Sequence, residues 1–135
     1  MEEAKILIVD DDPDIVEALK MTLEAHQYQV FTAANGTEGL KQVKTVKPDL
    51  IILDVMMDTV TEGFQVTYQL RNPDPKSEYA PFSKIPILML TAIAERTHMK
   101  FSSKKDGDFL PVEDFVEKPI RPQILLEKIR KMLAK

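Results

Sequence analysis

The 135-residue sequence contains no cysteine, which excludes disulfides, thiolate metal sites and cysteine nucleophiles. It also has no long hydrophobic run, because its main apolar stretches are only four residues long, too short to span a membrane. The first residues, Met1 to Lys5, are acidic where a signal peptide would be basic. We therefore expect a cytoplasmic protein with no membrane association.

An excess of positive charge is missing as well. Lysine and arginine together number 18, against 22 aspartates and glutamates, so the formal net charge is -4. This balance argues against direct nucleic-acid binding as the main role of the chain. With 44% hydrophobic and 30% charged residues, the composition is typical of a soluble globular protein. We expect residues 1–135 to form one domain with one core.

Three apolar runs predict the centre of a parallel sheet. They are Ile6–Val9, Leu50–Leu53 and Ile87–Leu90, and each is apolar on both faces, as strands covered by helices on both sides are. The more mixed Gln29–Ala33 predicts an edge strand, and Phe115–Val116 is a brief candidate for a fifth strand.

Helical patterns separate these strands. Asp12 followed by Pro13 predicts the start of a first helix, and the stripe from Ile15 to Leu23 gives it an apolar face. Further helices are predicted over 37–44, from about Gly63, and over 121–133. This alternation of strands and helices predicts a doubly wound α/β fold of three layers, with helices on both faces of the sheet.

Polar residues follow the predicted strands at their carboxyl ends, where open parallel sheets bind ligands. Asp10 and Asp11 end the first strand, Asp54 the third, and Thr91 the fourth, while Lys118 follows the fifth. Carboxylates crowded together repel one another unless a cation neutralises them, and Mg²⁺ suits such an oxygen site. We expect Mg²⁺, for which Mn²⁺ could substitute. Asp54 could then accept a phosphoryl group whose charge the cation, Thr91 and Lys118 stabilise.

Four stretches together resemble a known family. "ILIVDDDPDIVEAL", "PDLIILDVMM", "IPILMLTA" and "FVEKPI" occur in this order between Ile6 and Ile120. They resemble the receiver domain of bacterial two-component response regulators. That resemblance implies a CheY-like, flavodoxin-like fold with five parallel strands in the order 2-1-3-4-5.

The resemblance also implies a role for each matching residue. The phosphoacceptor would be Asp54; the metal ligands would be Asp10, Asp11, Asp54 and the backbone carbonyl of Met56; the phosphoryl group would contact Thr91 and Lys118; and the aromatic switch would be Phe115. For Phe115 an ordinary core position stays open.

A receiver domain of this kind would be a switch rather than an enzyme, with only self-phosphorylation and self-dephosphorylation chemistry. It would take its phosphoryl group from a sensor histidine kinase or a phosphotransfer protein. It would then change the surface formed by its fourth helix, fifth strand and fifth helix, which a downstream protein or effector domain reads. A homodimer that depends on phosphorylation stays open.

The sequence departs from the family pattern in several places. Asp58 is either a fourth acid near the metal or a solvated loop residue. In the family, the positions of Met56 and Ile93 flank the path of the attacking water; since neither of these side chains can orient water, we expect slow self-hydrolysis. The proline-rich loop Asn72–Pro86 is either disordered or, if its aromatic residues are buried, an ordered flap. The long segment between Thr91 and Lys118 carries either a solvated helix or a partner-specific surface.

Two other functions compete with the receiver. A phosphohydrolase of the haloacid dehalogenase type would use Asp10 and Asp12, but it would leave Asp54 without a role. An interaction module that acts without phosphorylation would bind its partner equally well when Asp54 is replaced by alanine. No effector segment follows the last predicted helix, so a stand-alone regulator and a piece of a longer protein both stay open.

Overall fold

The computed structural model describes residues 4–54, 66–72, 74–92, 114–118 and 120–134. In chain order the elements are β1 (Lys5–Val9), α1 (Pro13–Ala25), β2 (Gln29–Ala33), α2 (Gly36–Val46), β3 (Leu50–Asp54), a helical stretch at 66–70, a 3₁₀ turn (Ala80–Phe82), β4 (Ile87–Ala92), β5 (Asp114–Lys118) and a C-terminal helix (Pro122–Leu133). Among these residues, none of the helices combines the length and the apolar character needed to cross a membrane.

The five strands form one parallel sheet in the order β2-β1-β3-β4-β5. This confirms the predicted fold class and strand order, and it places β2 at an edge as its mixed sequence indicated. The fifth strand is longer than predicted: pairing with β4 extends it over Asp114–Lys118, although only Phe115 and Val116 carry an apolar signal.

The sheet has a core on each face. Residues of β1 alternate between the two faces, and Ile6 to Val9 are at most 1% exposed because helices cover both sides. One core packs β1, β3 and β4 against α2, the helical stretch at 66–70 and Tyr79. The other packs the alternate residues of the same strands against α1 and the C-terminal helix.

Capping side chains begin the first two helices. Asp12 Oδ1 accepts the backbone N–H of Asp14 at 2.9 Å, and Pro13 is the first helical residue, as predicted. Asn35 Oδ1 accepts the backbone N–H of Glu38 at 2.8 Å, so α2 begins at Gly36 and runs to Val46, longer than the predicted 37–44.

Gly39 of α2 faces the side chain of Val9 in β1. A Cβ atom at Gly39 would stand 2.9 Å from Val9 Cγ2, closer than side chains pack. Only glycine lets the helix approach the strand this closely.

The third predicted helix is present over 66–70, and its predicted start near Gly63 lies outside the described residues.

The segment from Asp74 to Pro86, called the strap below, joins the helical stretch to β4 along the amino-terminal edge of the sheet. Tyr79 is only 8% exposed and belongs to the core on the α2 side, and Phe82 packs against that core. Of the two predicted alternatives for this loop, the structure therefore shows the ordered flap.

Candidate functional site

The carboxyl ends of β1 and β3 bring three acidic side chains together. Val9 lies opposite Leu53 in the parallel register, so Asp10 and Asp54 leave neighbouring strands at the same level, and Asp11 follows directly. One carboxylate oxygen from each of the three lies within 4.8 Å of the others. Residues more than forty positions apart thus form one acidic cluster, as the topology of a parallel sheet requires.

Burial makes this cluster electrostatically costly. Asp10 and Asp54 are each 2% exposed, whereas Asp11 is exposed to solvent. Like charges at this separation repel, and buried carboxylates lose much of the water that would screen them. A donor set made only of carboxylate oxygens, open to solvent on the Asp11 side, fits a hard divalent cation such as Mg²⁺. Asp10, Asp11 and Asp54 are the residues that could hold it.

Backbone groups hold Asp10 in place. Its own N–H donates to the carbonyl oxygen of Ala33 at 3.1 Å, which continues the pairing of β1 with β2. Its side-chain Oδ1 accepts the backbone N–H of Asp12 at 2.9 Å. The acidic side chain is therefore fixed by the turn that leads into α1.

Thr91 and Lys118 are described by their backbone positions. Asp54 pairs with Leu90 in the register of β3 and β4, so Thr91 lies one residue beyond that level. Lys118 pairs with Ala92, the last residue of β4. Both residues therefore reach the edge that carries the acidic cluster.

The other predicted site residues lie away from the carboxyl edge or outside the described residues. Phe115, on the outer strand β5, pairs with Met89, before the carboxyl ends of the strands. Met56, Asp58 and Ile93 fall outside the described residues, as do most of the positions between Thr91 and Lys118. Their predicted roles stay predictions.

Sequence reasoning missed one connection within the site. It assigned Asp12 to the helix cap alone, but the N–H of the same residue also binds the Asp10 carboxylate. The available signal was that the capping position directly follows the acidic pair in "DDDP".

Comparison with protein families gives one match over most of the chain. A family model described as "Response regulator receiver domain" matches residues 6–130. This is the family whose motifs the sequence resembles.

Individual relatives agree with this match. The alkaline phosphatase synthesis transcriptional regulatory protein PhoP of Bacillus subtilis is 38% identical over 97% of this chain, and the chain spans 49% of that protein, about half its length. Protein PilH of Pseudomonas aeruginosa is 35% identical, and the match covers 97% of this chain and 98% of PilH.

A solved structure shows the same fold. The chemotaxis response regulator CheY4 of Vibrio cholerae is similar with a TM-score of 0.77 and 31% identity. The match covers 97% of this chain and 99% of that one.

Proposed function

Because the chain belongs to the response regulator receiver domain family, we propose that Asp54 is its phosphoacceptor and that Asp10, Asp11 and Asp54 hold the Mg²⁺ ion on which phosphorylation depends. The membership itself defines the chain as a receiver domain of two-component signalling with a CheY-like fold, a signalling protein rather than a classical enzyme. The observation that carries the residue assignment is the acidic cluster, whose three carboxylate oxygens lie within 4.8 Å of one another.

Asp54 is the best placed nucleophile of the cluster. It ends a fully buried central strand, which fixes its backbone, and it is 2% exposed, which keeps competing water away from its oxygens. In the transfer, an Asp54 oxygen forms a bond to phosphorus while the bond from phosphorus to the donor histidine nitrogen breaks. The bonding electrons stay on the imidazole, and Asp54 carries an acyl phosphate.

The remaining residues would divide the other tasks. Asp10 and Asp11 would hold the cation together with the backbone carbonyl of Met56, and Thr91 and Lys118 would contact the phosphoryl oxygens. When bound, Mg²⁺ neutralises the crowded carboxylates and the charge that develops on the phosphoryl oxygens. Support for Thr91 and Lys118 comes from the register, which ends both strands at the acidic edge.

We infer the partners from the family alone. A sensor histidine kinase or phosphotransfer protein would donate the phosphoryl group, and a downstream protein or effector domain would read the changed surface. A single domain over residues 1–135, a cytoplasmic location, the aromatic switch at Phe115 and slow self-hydrolysis belong to the same proposal.

The two competing functions are less well supported. A dehalogenase-type phosphohydrolase needs Asp12 beside Asp10 as a reacting acid, yet the Asp12 carboxylate caps α1 instead. An interaction module that acts without phosphorylation would not require two buried carboxylates beside a third one. The family match also supports the receiver and not these alternatives.

The test is the intact mass of the protein after incubation with acetyl phosphate and MgCl₂. We expect one added phosphoryl group in the wild type and in Asp14→Asn, which removes an exposed acid three positions after Asp11 that is not part of the cluster. We expect none in Asp54→Asn, which keeps the size of the side chain. Equal labelling of Asp54→Asn, or no labelling of the folded wild type, would contradict the assignment.

A further inference from the structure

Asp12 links the acidic cluster to the start of α1 through three hydrogen bonds. Its backbone N–H donates to Asp10 Oδ1 at 2.9 Å, and its Oδ1 accepts the N–H of Asp14 at 2.9 Å. Its carbonyl oxygen accepts the N–H of Val16 at 3.0 Å, which is the first bond of the helix. One residue therefore holds both a cluster carboxylate and the first turn of the helix.

The bond from Asp12 to Asp10 depends on the shape of the turn. Asp12 has an extended backbone conformation, with φ of −93° and ψ of 107°, which a capping residue adopts before a helix. The side-chain bond to Asp14 stabilises that conformation at the start of α1, and the same turn carries the Asp12 N–H that donates to Asp10 Oδ1. Without the cap, the turn has more freedom to move the N–H away from the carboxylate.

The Asp10 carboxylate needs such a restraint. Its neighbours Asp11 and Asp54 repel it, so an unrestrained side chain would rotate away from them in the absence of a cation. A cation would then have to order the side chain on binding, which weakens its affinity. Residues that orient metal ligands without touching the metal commonly affect affinity in this way.

We propose that Asp12 is a positioning residue of the cation site: by capping α1 it holds the turn whose N–H orients the Asp10 carboxylate, and its own charge is not what the site requires. This inference rests on the proposed Mg²⁺ site. It adds that the helix cap and the cation site form one unit, so that loss of the cap weakens cation binding.

The first experiment measures Mg²⁺ binding by titration calorimetry with MgCl₂ alone, on the unphosphorylated protein. We expect Asp12→Ala to weaken the affinity about tenfold, the lower end of the range for residues that orient metal ligands. We expect Asp12→Asn to keep the affinity within about twofold, because asparagine caps helices as well as aspartate does.

A matched control separates this effect from a general loss of helix stability. Asn35 caps α2 with the same kind of bond, to the N–H of Glu38, and it is not one of the three residues of the acidic cluster. Asn35→Ala should therefore destabilise the protein comparably while leaving Mg²⁺ affinity unchanged.

The second measurement needs no variant. Because cap and cation site are one unit, MgCl₂ should slow amide hydrogen exchange at Asp12 and Asp14, which donate the two linked bonds. The amide of Glu38, in the matched cap of α2, should show a smaller change. This measurement keeps the proposal testable if Asp12→Ala does not fold.

The outcomes distinguish the inference from the proposed function. A wild type that binds Mg²⁺ while Asp12→Ala binds it equally well would overturn the positioning role and leave the metal site intact. Equal weakening in Asp12→Asn and Asp12→Ala would show that the charge acts, and would also overturn it. A folded wild type that binds no Mg²⁺ would overturn the metal site itself, and the inference with it.

Discussion

The carboxyl edge and the amino edge of the sheet, where the strands end and begin, differ in whether the contacts of their residues are unfavourable or favourable. At the carboxyl edge, Asp10, Asp11 and Asp54 lie together although their charges repel one another, so the fold must hold them there. At the amino edge, the strap is held by a buried ring, two hydrogen bonds and an ion pair, all of which favour its position. The proposed function of this chain thus lies where the structure is electrostatically costly, whereas the strap lies where the packing is favourable.

The strap is attached by three kinds of contact. Tyr79 is buried in the core, while the Arg71 guanidinium donates to the carbonyl oxygens of Ser83 and Ile85 at 2.7 and 2.8 Å. On the surface, Lys44 of α2 pairs with Glu78, and its Nζ lies 5.1 Å from the centre of the Tyr79 ring. Each contact can be removed separately, so the comparison can be tested one interaction at a time.

The largest effect is expected from Tyr79→Ala. Removing a buried aromatic ring should lower the free energy of unfolding by about 3 kcal/mol, the range for truncation of large core side chains. Urea denaturation measures this loss, and Tyr79→Phe, which keeps the ring, should lose much less. The folded fraction should still be phosphorylated by acetyl phosphate.

The matching substitution at the carboxyl edge, Asp54→Asn, should affect phosphorylation rather than stability. Asp54→Asn removes one of three repelling charges, so without Mg²⁺ it should not lower the free energy of unfolding, but it should abolish phosphorylation. A Tyr79→Ala protein that stays folded yet cannot be phosphorylated would contradict the separation of the two edges.

An intermediate effect is expected from Arg71→Lys. Lysine keeps the positive charge but cannot donate to two carbonyl oxygens at once in the planar geometry of a guanidinium. Leaving the carbonyl of Ser83 or Ile85 without this donor should cost about 1 to 3 kcal/mol. Urea denaturation again gives the loss, and Arg130→Lys, at an exposed position of the C-terminal helix, is the matched control. Equal stability of the two variants would show that the guanidinium does not hold the strap.

Much of the acidic edge could be predicted because it follows from local pattern and topology. The run Ile6–Val9 is apolar on both faces, so it had to be a covered central strand, and Asp10 then had to lie at its carboxyl end. The same reasoning places Asp54 after Leu50–Leu53. Parallel pairing brings the two ends together without any further information from the sequence.

Contacts between distant residues could not be predicted in this way. Lys44 and Glu78 are separated by 34 positions and share no motif, so nothing local indicates that they meet. The extent of β5 was also underestimated, because Asp114, Glu117 and Lys118 lack an apolar signal and become strand residues by pairing with β4. The bond from Asp12 to Asp10 was missed for a different reason, since one residue performs two tasks and its pattern indicated only the cap.

The smallest effect is expected from the surface pair. The hydrogen bond to the Glu78 carboxylate raises the pKa of Lys44 above its ordinary value of 10.5. Both side chains are substantially exposed, 42% for Lys44 and 63% for Glu78, so water screens the pair, and Glu78→Gln should lower stability less than Tyr79→Ala or Arg71→Lys.

The sign of the pH dependence follows from the direction of that pKa shift. A lysine whose pKa is higher in the folded state stabilises the fold while it is protonated in both states, below pH 10.5, and the contribution is lost as the pH rises through the folded-state pKa. Urea denaturation of the wild type and Glu78→Gln should therefore differ at neutral pH and converge in strong alkali, and the neutral-pH difference should shrink in high salt. A difference that persists unchanged in alkali would mean that Glu78 holds the strap by packing, and the amino edge would then owe its position to apolar contacts and the Arg71 bonds alone.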